Sequence, residues 1–196
     1  MTSVAEYERC AALLRQAYAL LKDVTPRRFD CGVLCGGACC RNLSSDGSES
    51  GMLLLPHERE YLRRTAASID ADTGFHFETN GSDEFLICSG KCNRTLRPFA
   101  CRIFPYYPAF RDGGIILRPD PRAVSVCPLI QQRLTERRTN VYFLRGVKKA
   151  ANVLIREPVF RTELEKNATY LDGLYEFYER LMSPHTDGAH FRPPRT

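Results

Sequence analysis

The chain predicts a mainly α protein with a small β-hairpin and irregular loops, in which N- and C-terminal helices pack a metal-organised cysteine core. Three observations lead there. Apolar residues recur with helical periodicity near both ends of the 196-residue sequence. A turn signal, Asn80-Gly81, separates two short apolar runs in its middle. Eight of the nine cysteines fall into two groups between the terminal helices.

Residues 3–23 form the first predicted helix, with Ser3 and Glu6 spaced as a capping box. Tyr7, Cys10, Ala11, Leu14, Tyr18 and Leu21 make its apolar stripe. Cys10 therefore reads as a small buried hydrophobe, apart from the other eight cysteines. Thr25-Pro26 ends this helix and opens a cysteine loop over 29–41, FDCGVLCGGACCR. Residues 42–51 are a polar, mobile loop, 52–55 a short buried strand, and Pro56 opens a second helix over 57–68 with Tyr61, Leu62 and Ala66 inward.

The runs 75–79 and 84–88 pair as a hairpin around residues 80–83, and 115–117 makes another short strand. Between them, 97–110 has three prolines and five aromatics and reads as an irregular packed loop. Two helices complete the chain, 129–155 and 158–182, separated at Glu157-Pro158. The second buries Leu164, Leu171, Leu174, Tyr175, Tyr178 and Leu181. Residues 184–196, rich in proline and charge, are expected to be a disordered tail. Residues 1–183 thus read as one cysteine-cluster domain, with a core over 29–130 and a helical part over 129–183.

A hydrophobic share of 43% and a charged share of 26% belong to a soluble globular protein. No run approaches the ~18 apolar residues of a membrane span. The start, MTSVAEYERC, lacks the basic and apolar regions of a secretory signal, so a cytoplasmic location is expected. Cysteines are kept reduced there, and a dense pattern of them indicates metal binding or catalysis before disulfides.

The first group is Cys31, Cys35, Cys39 and Cys40, with glycines between that let backbone approach a bulky centre. The second is Cys88, Cys92, Cys101 and Cys127. Adjacent side chains diverge, so Cys39 and Cys40 could serve two metals on opposite sides of the backbone. Eight thiolates over two centres give four ligands each, the number held by tetrahedral Zn²⁺ or by a [4Fe–4S] cluster. Four cysteines in ten residues with glycine between them resemble a cluster-wrapping loop more than separated zinc knuckles. One or two [4Fe–4S] clusters are therefore the expected cofactor, with Zn²⁺ the alternative. Arg97 and Arg102 stand within the second group, where they could offset thiolate charge and donate toward sulfur, or pair with surface carboxylates. Eight thiolates and two divalent ions would bring the formal +5 to about +1, so the arginine excess serves as internal compensation and nucleic acid is not the expected partner.

Other chemistries fit less well. Cys31-x3-Cys35 begins like a radical-SAM motif, but the next spacing is x3 where x2 is required. His57-Glu58 does not extend to HExxH, and neither His57 nor His76 reads as a ligand. There is no glycine-rich phosphate loop. Phe99, Phe104, Tyr106, Tyr107 and Phe110 read as packing around the metal rather than as a base-stacking platform.

The first cluster, the C-x8-C spacing of Cys92 and Cys101 with Arg97-Pro98 inside it, Cys101-Arg102-x-Phe104-Pro105 and Cys127-Pro128 together resemble the YkgJ-type cysteine-cluster family. That family carries a CxxCxxCC signature and is described as zinc- or iron-chelating. The resemblance covers about residues 29–130, and each gap of the first cluster holds one residue more than the signature. It implies Cys31, Cys35, Cys39, Cys40, Cys92, Cys101 and Cys127 as ligands, with Cys88 matching a further cysteine. Some relatives are joined to flagellin lysine N-methylases, and the family is often labelled an iron–sulfur oxidoreductase. Three functions are thus expected: an iron–sulfur protein serving a redox or enzyme partner, a zinc-stabilised interaction module, or a methyltransferase-associated domain with Tyr106, Tyr107 and Arg111 at its pocket.

Overall fold

The structure, a computed structural model, describes residues 3–28, 32–40, 51–69, 73–88, 93–131 and 139–182. Helix α1 (Val4–Leu20) begins at Ser3, whose hydroxyl accepts the Glu6 N–H at 3.1 Å, as the sequence indicates. A short helix α2 (Gly32–Cys35) and a 3₁₀ turn (Ala38–Cys40) carry the described cysteines of the first group. Strand β1 (Gly51–Leu53), helix α3 (Glu58–Ile69) and strands β2 (Phe75–Asn80) and β3 (Asp83–Cys88) follow. Then come a 3₁₀ turn (Arg94–Leu96), helix α4 (Phe99–Ile103), and strands β4 (Tyr106–Arg111) and β5 (Gly114–Pro119). A 3₁₀ turn (Pro121–Val124) leads to helices α5 (Pro128–Gln131), α6 (Val141–Leu154) and α7 (Pro158–Met182).

The expected mainly α architecture is corrected to a mixed α/β one with two antiparallel sheets. Strands are ordered β1-β3-β2 in the first sheet, and β4-β5 form the second. The expected hairpin is present, but β1 adds a third strand to it through Gly51↔Ile87 and Leu53↔Phe85. Asn80 pairs with Asp83, so the loop shortens to Gly81-Ser82, with Gly81 at φ 61°. The second hairpin turns at Asp112-Gly113, both with positive φ, which matches the strand twist. The expected irregular segment 97–110 is therefore a helix and a strand. Pro108 fits within β4 because, among the described residues, β4 pairs with β5 alone and its other edge carries no ladder bonds.

The expected single helix over 129–155 is also corrected. Thr139 and Asn140 are not helical, and the Asn140 side chain caps a new helix by accepting the Tyr142 N–H at 3.1 Å. Residues 42–50, the tail 184–196 and the side chains of Tyr178 and Leu181 lie outside the described part.

The middle of the molecule is apolar, which corrects the metal-organised core. Leu14, Leu62, Leu96, Phe99, Phe143, Val147, Leu154 and Phe160 are essentially inaccessible and form one cluster drawn from both termini and the centre of the chain. Burying each such side chain contributes about 1.5–3 kcal/mol, so carbon packing holds these helices together. A smaller cluster of Tyr107, Ala109, Ala168 and Leu171 seats α7 on β4. No described helix is long and apolar enough to cross a membrane.

Helices α1 and α6 approach closely at Gly146, where an added Cβ would stand 3.2 Å from both the Leu20 carbonyl and Val24. Gly146→Ala is expected to be near neutral, because helix propensity offsets the crowding. Gly146→Leu should cost about 1–3 kcal/mol by overpacking, read by denaturant unfolding. A Leu variant as stable as the parent would refute this close packing.

Candidate metal centre

Four cysteines from the two distant groups line one cavity of about 80 Å³: Cys35, Cys39, Cys101 and Cys127. Each arrives by a different local device. Gly36 and Gly37, at φ 59° and 72°, reverse the chain between Cys35 and the 3₁₀ turn that holds Cys39. Bonds from Gly37 N to the Gly32 carbonyl (3.1 Å) and from Cys40 N to the Gly37 carbonyl (2.8 Å) close this turn.

Cys101 rides on α4, whose start is held from below by a buried carboxylate. Glu58 is inaccessible and accepts the Phe99 N–H at 2.6 Å, the Leu55 N–H at 2.8 Å and the Tyr18 hydroxyl at 2.5 Å. Burial pushes the Glu58 carboxyl above its usual range, and these three donors pull it partly back.

Cys127 lies at the start of α5. Its N–H donates to the Ala123 carbonyl at 2.8 Å, and its own carbonyl accepts the Ile130 N–H at 2.9 Å. Burial raises the Cys127 thiol, and the Leu129 and Ile130 backbone counters this only in part. The preceding turn is capped by Asp120, 2% exposed, which accepts the Arg122 N–H at 2.9 Å and takes the Arg122 guanidinium at 2.6 Å.

The cavity rim is basic. Lys22, Arg94, Arg97 and Arg102 line it, and no Asp or Glu is among its described lining residues. Arg102 donates to the carbonyls of Arg97 (2.7 Å), Thr95 (2.6 Å) and Arg94 (3.3 Å), and its guanidinium lies 4.0 Å from the Tyr18 ring centroid. Burial lowers its pKa, while Tyr18 and Glu58 oppose that shift. An arginine so held stays charged. These three hydrogen bonds go to backbone, whereas the sequence suggested sulfur or surface carboxylates.

The remaining expected ligands divide. Cys40 and Cys88 do not line the cavity, and Cys88 packs on the apolar core from the end of β3. Cys31 and Cys92 lie outside the described residues. Cys10 is fully buried within α1, and burial pushes its thiol up to about 11, in keeping with the role expected for it. His57 pairs with Glu6 at 3.2 Å and His76 with Glu78 at 3.3 Å. Tyr106 and Tyr107 face opposite sides of β4: the first bonds Thr139 at 2.7 Å, the second bonds Asp172 at 2.5 Å. Arg111 borders a separate crevice at the β4–β5 turn, so these three residues do not form one pocket.

Thiols are the donors that soft metals and iron–sulfur clusters take. Four thiolates on one Zn²⁺ at ~2.3 Å stand about 3.8 Å apart. Among the described residues no three Cys, His, Asp or Glu side chains are grouped to hold one ion. The four lining cysteines border a cavity several times the ~10–15 Å³ that one water needs, and they are the donor type that a soft metal or an iron–sulfur cluster takes.

Sequence reasoning missed Glu58 and Lys22. Glu58 beside Pro56 at a helix start was legible as an N-terminal acid, but nothing local showed its reach to Phe99. The fold and cavity together define a mixed α/β protein with a basic, cysteine-lined site. No family model matches the chain, and neither curated proteins nor solved structures include a match.

Proposed function

We propose that the chain is an iron–sulfur protein of redox or enzyme-supporting role, with Cys35, Cys39, Cys101 and Cys127 as ligands of a [4Fe–4S] cluster. The observation that carries this reading is the convergence of four thiols from two segments, some sixty residues apart in sequence, on one cavity. Bound there, the cluster would supply one-electron chemistry. The chain's own residues supply the rest: α4 carries Cys101, the turn before α5 carries Cys127, and the basic rim would offset thiolate charge. The resemblance to the YkgJ-type family supports the same reading. In a reducing compartment such thiols would persist without oxidation.

The test is anaerobic purification with iron, sulfide and zinc analysis. The expected product is brown, with about four iron and four sulfide per cluster. A colourless protein carrying one equivalent of zinc and no iron would overturn the proposal.

A further inference from the structure

We infer that the mouth of the cysteine cavity is the docking surface for an acidic one-electron carrier protein. This rests on the iron–sulfur reading and adds the chemistry of the partner. The charge at the mouth has one sign among the described lining residues: Lys22 follows α1, Arg94 and Arg97 precede α4, and Arg102 lies on it. Lys22 and Arg94 are exposed.

Two large apolar side chains close in sequence to lining residues stand uncovered. Val33, 79% exposed, lies on α2 two residues before Cys35. Val124, 54% exposed, lies two residues before the lining residue Val126. Uncovered apolar residues together with a charged rim suit a transient interface, and electron-transfer interfaces fall at the small end of the size range. The basic rim selects the occupant, since an acidic surface is steered onto it and a basic one repelled. Docking there brings the carrier against the cavity wall that holds the four thiols. With a cluster held by these thiols, one electron would pass to it from the reduced carrier, with no bond made or broken and no proton moved.

The test uses the anaerobically purified chain, an oxidised plant-type [2Fe–2S] ferredoxin as acidic probe and cytochrome c as basic probe, in titration calorimetry. Ferredoxin should bind at 20 mM salt with a Kd on the order of 10 µM and weaken at least tenfold by 300 mM salt, as screened charge requires. Lys22→Glu should weaken binding about fivefold at low salt, and Val124→Glu should do so as well, while cytochrome c gives no binding heat. Absence of ferredoxin binding, binding indifferent to salt and to Lys22→Glu, or preference for cytochrome c would overturn the inference. Iron content and colour of the same samples report on the cluster separately. A brown protein that ignores ferredoxin loses the docking surface alone, and a colourless one that binds it loses the electron-transfer role.

Discussion

Cys39→Ser is expected to strip at least half of the iron from the anaerobically isolated protein, whereas Cys40→Ser should leave the iron of this cavity in place. The two residues are neighbours in a 3₁₀ turn, where successive side chains diverge by about 120°. Only Cys39 lines the cavity with Cys35, Cys101 and Cys127. Serine oxygen is a poorer ligand for iron than thiolate, so one replacement at a cluster corner weakens the whole centre. Iron analysis of both single variants and of the double variant checks this. Identical iron loss in both singles, with none further in the double, would mean that the adjacent thiols serve one centre and that this cavity is not it. The two-centre arrangement suggested by eight cysteines gains support if Cys40→Ser removes a different portion of iron.

Glu58→Ala should lower stability by about 3–5 kcal/mol, one of the larger single-residue effects in the chain. The carboxyl satisfies three buried donors on three elements: the Tyr18 hydroxyl on α1, the Leu55 N–H before α3 and the Phe99 N–H at the start of α4. Each buried donor left without a partner costs about 1–3 kcal/mol. A chain of this length should then melt on the order of 10 °C lower, measured by circular dichroism. Glu58→Gln keeps one acceptor and should cost about 1–3 kcal/mol. Its pH dependence has a definite sign. Burial raises the carboxyl's pKa in the folded state, so its contribution is complete below the unfolded value and is lost as pH rises through the folded one. The penalty of Glu58→Gln is therefore largest in mild acid and shrinks toward neutral pH. An alanine variant within 1 kcal/mol of the parent would show that this network is not a structural keystone. Because Phe99 begins the helix that carries Cys101, the alanine variant should also bind less iron.

The local signals were legible where their physics is local. Ser3 caps α1 as its spacing with Glu6 indicates, the stripe through Cys10, Leu14 and Leu21 is buried, and the Asn80-Gly81 hairpin forms. Asp112-Gly113 was an equally readable turn signal, and weighing it would have found β4 and β5 within a segment whose prolines suggested irregular chain. Prolines mislead there because an edge strand accepts one.

From sequence alone came the two cysteine groups, the helical stripes at both ends and one hairpin, since each depends on residues within a few positions of one another. The tertiary structure decided the rest: that apolar side chains rather than metal fill the centre, that Cys35, Cys39, Cys101 and Cys127 share a cavity while Cys40 and Cys88 stand outside it, and that Glu58 ties α1, α3 and α4 together. These are contacts between residues tens of positions apart. Their identity depends on which elements pack against which, and that follows from the summed burial of the whole chain rather than from any local pattern.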